Sequence, residues 1–304
     1  MKTVTQNSLR AWLLAARPKT LTGAIIPILL GSALAFSDGQ FKAAPALLCA
    51  LFACGMQIAA NFINDLFDFL KGSDREDRVG PQRACAEGWI TIPAMKRGIA
   101  VSLLLSCLAG LAALLTVWEA LPYGGWELVL TGATCVLSAF LYTTKLSYLG
   151  WGDALVLVFF GLVPVCGTYY VQAYTLNADV AVLSLACGLV IDTLLMVNNY
   201  RDREQDAVSG KRTLVVRFGK RFGEYLYLGL GISATLLCFF VFAGRMLLIP
   251  FIGVSCIYLC LHILTWRKMV RIRSGKELNG ILGETSRNML LFGVLLAAVL
   301  FAAY

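Results

Sequence analysis

Long apolar stretches separated by polar segments run the whole length of the chain. They lie at residues 21–37, 43–64, 98–118, 127–144, 153–172, 179–199, 225–243, 246–265 and 288–304. Each has about 17 to 22 residues, the length at which an α-helix crosses a bilayer. The pattern predicts an all-α polytopic membrane protein with about nine transmembrane helices, built as a single transmembrane domain over residues 1–304.

Polar segments connect these stretches, and nearly all of the basic residues belong to segments on the same side of the membrane. If the N-terminus is cytosolic, the segments on that side are 1–20, 65–97, 145–152, 200–224 and 266–287. They hold 24 of the 26 lysines and arginines, and Lys42 and Arg245 are the other two. Cytosolic loops are enriched in basic residues. We therefore expect a multi-pass protein of the inner (cytoplasmic) membrane, with a cytosolic N-terminus and two long cytosolic loops.

Composition supports the membrane assignment. Hydrophobic residues make up 59% of the chain, charged residues 14%, and the mean hydropathy is +0.74. The net charge of +8 is explained by basic loops held at an anionic membrane surface, so no nucleic-acid partner is expected. The sequence gives no indication of the oligomeric state.

The second apolar stretch ends in an unusually acidic segment. Asn61, Asn64, Asp65 and Asp68 follow one another at spacings of three and four residues, so on a helix their side chains share one face. Carboxylates this close repel one another, and a bound divalent cation is the simplest way to offset that repulsion.

A second acidic segment follows the sixth apolar stretch. Asp202 and Asp206 are four residues apart, and Asn198 and Asn199 lie one turn earlier. The chain thus carries two acidic helix ends that face the same side of the membrane. Polar groups at such depths are costly, which favours a functional role over solvated helix termini.

These residue types suit a magnesium-bridged diphosphate. Magnesium prefers oxygen ligands and usually takes only one or two carboxylates, with substrate phosphate and water completing its coordination. Cations close to the two acidic segments could bind the diphosphate itself: Lys71, Arg78, Arg83, Arg201, Lys211 and Arg212. Metal and cations together would stabilise a leaving diphosphate, and an apolar chamber would keep an allylic cation from water.

One further carboxylate lies deep in the sixth stretch. Asp192 precedes Asn199 by seven residues, two helical turns on a similar face. A single acidic residue inside a span usually faces a cavity. It could accept a hydrogen bond from an acceptor hydroxyl or orient the ring, and a helix-packing hydrogen bond is the alternative.

The first acidic segment resembles the NDxxD signature of the UbiA family of intramembrane prenyltransferases, and the second is similar to that family's DxxxD motif. Three shorter segments add to the resemblance: ARPKT at 16–20, YTTK at 142–145 and GTYYVQ at 167–172. Within the family, KGSD at 71–74 and GKRTL at 210–214 are most similar to the 1,4-dihydroxy-2-naphthoate polyprenyltransferases. The motifs span residues 16 to 214, and the helix count covers the rest.

The resemblance implies a nine-helix bundle around a central cavity that the loops 65–97 and 200–224 cap. By position, it implies that Asp65, Asp68, Asp202 and Asp206 are catalytic, and that magnesium is held by Asn64, Asp65, Asp68, Asp74, Asp202 and Asp206. The broader family has its third aspartate where this chain has Gly72, so Asp74 follows the naphthoate branch alone. The expected substrate-binding residues are Arg17, Asn61, Asn64, Lys71, Arg78, Arg83, Tyr142, Lys145, Asp192, Asn198, Asn199, Arg201, Lys211 and Arg212.

The expected reaction joins a polyprenyl diphosphate to 1,4-dihydroxy-2-naphthoate, with loss of diphosphate and carbon dioxide, to give a demethylmenaquinol of menaquinone biosynthesis. Another aromatic acceptor, 4-hydroxybenzoate or a tetrapyrrole, is the alternative within the family. An ion-coupled transporter is the alternative from another class. It would place carboxylates at broken helices in mid-membrane, whereas here most of them crowd at helix ends.

Overall fold

The computed structural model describes residues 4–72 and 79–302, and every regular element in those ranges is helical. The helices are α1 (Leu9–Ala16), α2 (Thr22–Ser37), α3 (Ala43–Leu70), α4 (Ile92–Val117), α5 (Trp126–Leu149), α6 (Gly152–Ala173), α7 (Ala178–Val208), α8 (Leu214–Phe218), α9 (Lys220–Gly244), α10 (Leu248–Ile272) and α11 (Leu278–Phe301). The predicted all-α class is confirmed.

Within the described part of the chain, eight helices are long and apolar enough to cross a membrane. A ninth span is formed if α1 and α2 count together, with a bend of 49° between them. The predicted number is therefore reproduced, but several predicted boundaries were wrong. The span predicted at 21–37 omits α1, and the segment 266–287, predicted as a loop, contains the first turns of α11.

The longest helices explain why the acidic residues of both motifs are helical. With 28 and 31 residues, α3 and α7 are about 42 and 46 Å long at 1.5 Å per residue. A hydrocarbon core of about 30 Å cannot cover them. Their last turns, which carry Asp65, Asp68, Asp202 and Asp206, therefore extend each helix into what was predicted as loop.

The bend between α1 and α2 is centred on Arg17. Its φ of +50° is left-handed, and Pro18 follows directly, which disfavours helical geometry at the preceding residue. The side-chain amide of Asn61 donates to the carbonyl of Ala16 and to the hydroxyl of Thr20, at 2.9 and 3.0 Å. Helix α3 thus fixes the turn that carries Arg17.

Two helices contain π-helical turns, at Tyr142–Leu146 in α5 and at Leu157–Leu162 in α6. Pro164 follows the second turn, and because proline lacks an N–H it cannot bond the carbonyl of Phe160. The Cys187 thiol of α7 contacts that carbonyl at 3.8 Å. Such turns often occur at functional sites, and both lie beside the cavity described below.

Four apolar clusters are buried in the described part of the chain, and the two largest lie on either side of a cavity. The larger joins α2, α6, α7, α9, α10 and α11. The smaller joins α1, α3, the start of α4 and residues 84, 85 and 90 of the intervening loop. The walls of this cavity come mainly from α2 to α7.

A polar network closes the end of the bundle opposite the acidic segments. The Arg245 guanidinium donates to Asp38 at 2.7 Å and to Asp179 at 2.8 Å. Tyr169 donates its hydroxyl to Asp38 at 2.6 Å. The network links the ends of α2, α6 and α9 to the start of α7.

The pH dependence of stability tests this network. Burial raises the pKa of Asp38, but hydrogen bonds from Arg245, Tyr169 and Asn177 outweigh it and hold the pKa below the ordinary 3.8. A depressed folded-state pKa stabilises the fold above the unfolded value, and this stability is lost as the pH falls through the folded value. We expect the melting temperature in detergent to drop below pH 3.8.

The Asp38→Asn variant supplies the control. At neutral pH it should be less stable by roughly 1 to 2 kcal/mol, since it loses hydrogen bonds to a charged, partly exposed group. It should also lack this part of the acid-induced loss. An acid profile identical to that of the wild type would contradict the assignment.

Candidate active site

The cavity between the two largest apolar clusters has a volume of about 630 Å³, within the usual range of small-molecule sites. Its walls are mostly apolar side chains of α2 to α7. Polar side chains also line it, and five of them were predicted as substrate-binding: Arg17, Asn61, Asn64, Tyr142 and Asn198. A long apolar chamber with a few polar groups suits a ligand that has a polar head and a lipid tail.

The polar side chains of α3 are held by neighbouring helices. The side-chain amide of Gln57 donates to the side-chain oxygen Oδ1 of Asn61 at 3.2 Å, while Asn61 itself donates to the turn around Arg17. The Thr143 hydroxyl, from the π-helical turn of α5, donates to the side-chain oxygen of Asn64. These bonds fix the orientation of both asparagine amides before any ligand binds.

The loop that follows α3 is anchored by the two aspartates of the first motif. The backbone N–H groups of Ala84 and Cys85 donate to the two carboxylate oxygens of Asp65, both at 2.9 Å. Asp68 forms a buried ion pair with Arg83 at 2.8 Å. Asp65 therefore fixes the loop backbone. The prediction that it also binds metal stays a prediction.

The end of α7 has a comparable arrangement. Arg201 donates from two nitrogens to the two oxygens of Asp202, at 2.7 and 2.6 Å. It also donates to the side-chain oxygen of Asn279 at 2.9 Å, and Asn279 in turn donates to the carbonyl of Val79 at 3.0 Å. The start of α11 thus connects the second acidic motif to the loop that follows the first.

The two acidic helix ends are linked through Tyr148. Lys71 and Lys211, one from each segment, lie over the ring of Tyr148 at 4.2 and 5.3 Å from its centre. Lys71 also donates to the carbonyls of Thr143 and Thr144, and Lys211 lies 3.8 Å from Asp206. Tyr148 is therefore the common support of two predicted diphosphate-binding cations.

The remaining predicted residues occupy several positions. Lys145 and Arg212 are exposed, while Asn199 and Asp192 are buried on α7. The backbone N–H of Arg212 donates to the carbonyl of Tyr148 at 3.0 Å. Asp74 and Arg78 lie outside the described residues.

Four residues of the site and its surroundings were not predicted from the sequence: Thr143, Tyr148, Asp153 and Asn279.

The oxygen atoms that the protein offers suit magnesium only if a bound substrate supplies further oxygen ligands. Among residues 4–72 and 79–302, no three acidic, histidine or cysteine side chains come together closely enough to hold a metal ion. Asp68, Asp206 and the Asn64 amide offer oxygen atoms, the donors that magnesium prefers. These few protein oxygens fit an ion whose coordination is completed by substrate phosphate and water.

The chain has clear relatives among known proteins. The model of the UbiA prenyltransferase family matches residues 24–282. The 1,4-dihydroxy-2-naphthoate octaprenyltransferase of Escherichia coli (strain K12) is 42% identical over 214 residues, covering 69% of each chain. The protein of the same name from Mycobacterium tuberculosis (strain ATCC 25618 / H37Rv) is 34% identical over 296 residues, 96% of this chain and 97% of that one.

A solved structure has a similar fold. The UbiA homologue from Archaeoglobus fulgidus bound to GPP and Mg²⁺ aligns with a TM-score of 0.66 at 16% sequence identity. The alignment covers 95% of this chain and 99% of that chain. At 16% identity this likeness supports the fold alone, so the chemistry has to be argued from the residues of the site.

Proposed function

This chain belongs to the UbiA prenyltransferase family, and from that premise we propose that it transfers a polyprenyl group from an allylic diphosphate to 1,4-dihydroxy-2-naphthoate. Diphosphate and carbon dioxide are released, and the product is a demethylmenaquinol. The names of the two octaprenyltransferase relatives support the acceptor, as do the KGSD and GKRTL segments. We further propose one transmembrane domain over residues 1–304, in the inner membrane, with the acidic helix ends facing the cytosol.

One observation carries the proposal: Asn64 and Asn198, one from each acidic segment, line the same apolar cavity, and Lys71 and Lys211 share the ring of Tyr148. Asn64, Asp65, Asp68, Asp74, Asp202 and Asp206 would hold the metal. Magnesium, when bound there, would offset negative charge on the diphosphate as its carbon–oxygen bond breaks. The UbiA homologue bound to GPP and Mg²⁺ supports this pairing of a prenyl diphosphate with a divalent ion.

The cations of the site would bind and orient the diphosphate. Lys71 and Lys211 share the Tyr148 ring, and Arg17 lies on the cavity wall. Arg83 and Arg201 already pair with Asp68 and Asp202, so their first role would be to set the positions of those carboxylates. Positioning and charge stabilisation are the main means by which such sites lower the barrier to loss of diphosphate.

The apolar walls would protect the cationic carbon from water. The prenyl tail would lie along the side chains of α4 to α6, among them Leu111, Val136 and Phe159. An electron-rich ring carbon of the acceptor attacks the allylic carbon, and loss of the ring carboxylate restores aromaticity.

The decisive experiment supplies purified protein with magnesium and tests aromatic acceptors against prenyl diphosphates of several lengths. We expect release of diphosphate and carbon dioxide with dihydroxynaphthoate, and the longest accepted tail will define the donor. Transfer to 4-hydroxybenzoate or a tetrapyrrole alone would replace the proposed acceptor. Release of neither product, beside an active control enzyme, would reject the transferase assignment and favour transport.

A further inference from the structure

Two buried carboxyl groups lie on adjoining helices, α6 and α7, and neither belongs to the acidic helix ends. Asp153 is in the first turn of α6 and Asp192 is in the middle of α7; they are 8% and 2% exposed. The segments that carry them pack against each other, since Gly152, the residue before Asp153, approaches Leu195, one turn after Asp192. In each residue the buried Oδ1 atom has no hydrogen-bond partner. A buried carboxyl oxygen without a partner is costly, so it marks a place where a donor is expected to bind.

Tyr142 lies beside the first turn of α6, which carries Asp153. A Cβ atom added at Gly152, which precedes Asp153, would lie 3.9 Å from the Tyr142 hydroxyl and 3.4 Å from Leu195, one turn after Asp192. Both Tyr142 and Leu195 line the cavity.

The electrostatics of the pair favour a single shared proton. Two like charges in an apolar wall are unstable together. Among the described residues, neither carboxylate forms an ion pair with a lysine or arginine. One carboxylic acid beside one carboxylate removes the repulsion, and it leaves one group able to accept a proton.

We propose that Asp153 and Asp192 form a proton-accepting pair for the ring hydroxyl of the aromatic acceptor, reached through the hydroxyl of Tyr142. The inference rests on the proposed function, because it requires an acceptor with a phenolic hydroxyl next to the carbon that attacks. It assigns Tyr142 as the group that touches the substrate, and the two aspartates as the groups that act through it.

Protons and electrons balance over one turnover of this proposed reaction. The acceptor hydroxyl passes its proton to the Tyr142 oxygen as Tyr142 passes its own to the carboxylate. The freed oxygen electrons form a carbonyl, the ring carbon that bears the carboxylate bonds to the allylic carbon, and diphosphate leaves with its electron pair. The resulting β-keto carboxylate loses carbon dioxide. The enolate oxygen then takes the proton back by the reverse path, so the pair ends as it began.

The test compares Asp153→Asn, Asp192→Asn and Tyr142→Phe with wild-type protein, using magnesium, a prenyl diphosphate and dihydroxynaphthoate. General acid–base groups contribute about 10²- to 10⁴-fold, so we expect each variant to lose at least about 100-fold in kcat. Affinity for the prenyl diphosphate alone should be unchanged. Glu127→Gln is the matched control: this part-buried carboxylate, which also has an unpartnered oxygen, binds Tyr170, and we expect normal turnover.

Two readouts separate proton transfer from a structural role. Wild-type protein should show a solvent deuterium isotope effect on kcat, and acceptor binding should shift the infrared carboxylic-acid band, which should be absent in Asp192→Asn. Wild-type kcat in any of the three variants, or variants that lose only thermal stability, would overturn the inference and leave the transferase assignment intact. A wild-type protein without transferase activity would overturn both.

Discussion

Replacing Asp68 or Asp202 by asparagine, one at a time, is expected to lower kcat by about 10²- to 10³-fold. Polarisation of a leaving group by a bound metal is worth several kcal/mol, and each 1.36 kcal/mol changes the rate tenfold. The two aspartates come from different helices and the proposed metal site needs both ends, so each single replacement should be damaging. Turnover with saturating magnesium and both substrates is the measurement.

The matched control for these variants is Glu204→Gln. Glu204 lies between Asp202 and Asp206 in sequence, but its side chain is 80% exposed and pairs only with Arg203 in the described structure. It removes the same charge from the same helical turn without touching the proposed site, so its turnover should match that of the wild type. Normal turnover in either aspartate variant would refute a metal bridge between the two helix ends.

Gly161→Ala is expected to destabilise the protein, because α6 and α7 are in close contact at this glycine. A Cβ atom at Gly161 would lie 2.6 Å from the carbonyl oxygen of Ser184 and 2.8 Å from the Cα atom of Gly188. Both are backbone atoms, so the helices must separate. Overpacking of this kind costs about 1 to 3 kcal/mol, which should appear as a lower melting temperature in detergent.

The same substitution elsewhere should be harmless. At Gly253 in α10 an added Cβ atom would have no neighbour within 4 Å, and alanine favours a helix over glycine by roughly 1 kcal/mol. Gly253→Ala should therefore melt at or above the wild-type temperature. Equal melting temperatures for Gly161→Ala and wild type would show that α6 and α7 are not packed this closely.

The hydrophobic pattern was sufficient for the helix count, because a bilayer imposes nearly the same length on every span. It failed at α1, whose eight residues are too few to register as a span. It also failed at the start of α11, where Glu284 and Arg287 interrupt the apolar pattern although both are helical. Contacts to neighbouring elements, such as the ion pair of Glu284 with Lys268, determine these segments.

The candidate site was partly accessible from sequence. Spacing predicted that Asn61, Asn64, Asp65 and Asp68 share one helical face, and α3 does continue unbroken to Leu70. Spacing could not show that Asp65 binds loop backbone. The partners that sequence reasoning missed, Tyr148 and Asn279, act across large separations in the chain and belong to no local pattern.

The bond between Asn279 and Val79 spans 200 residues, and this separation has a consequence for biosynthesis. Both acidic motifs are synthesised before residue 210, yet the side chain that ties Arg201 to the first loop arrives only with α11. A ribosome that stalls before residue 279 would leave the two acidic segments inserted in the membrane without the side chain that connects them. The proposed site can therefore be completed only after α11 enters the bundle, so transferase activity would report on the insertion of this helix.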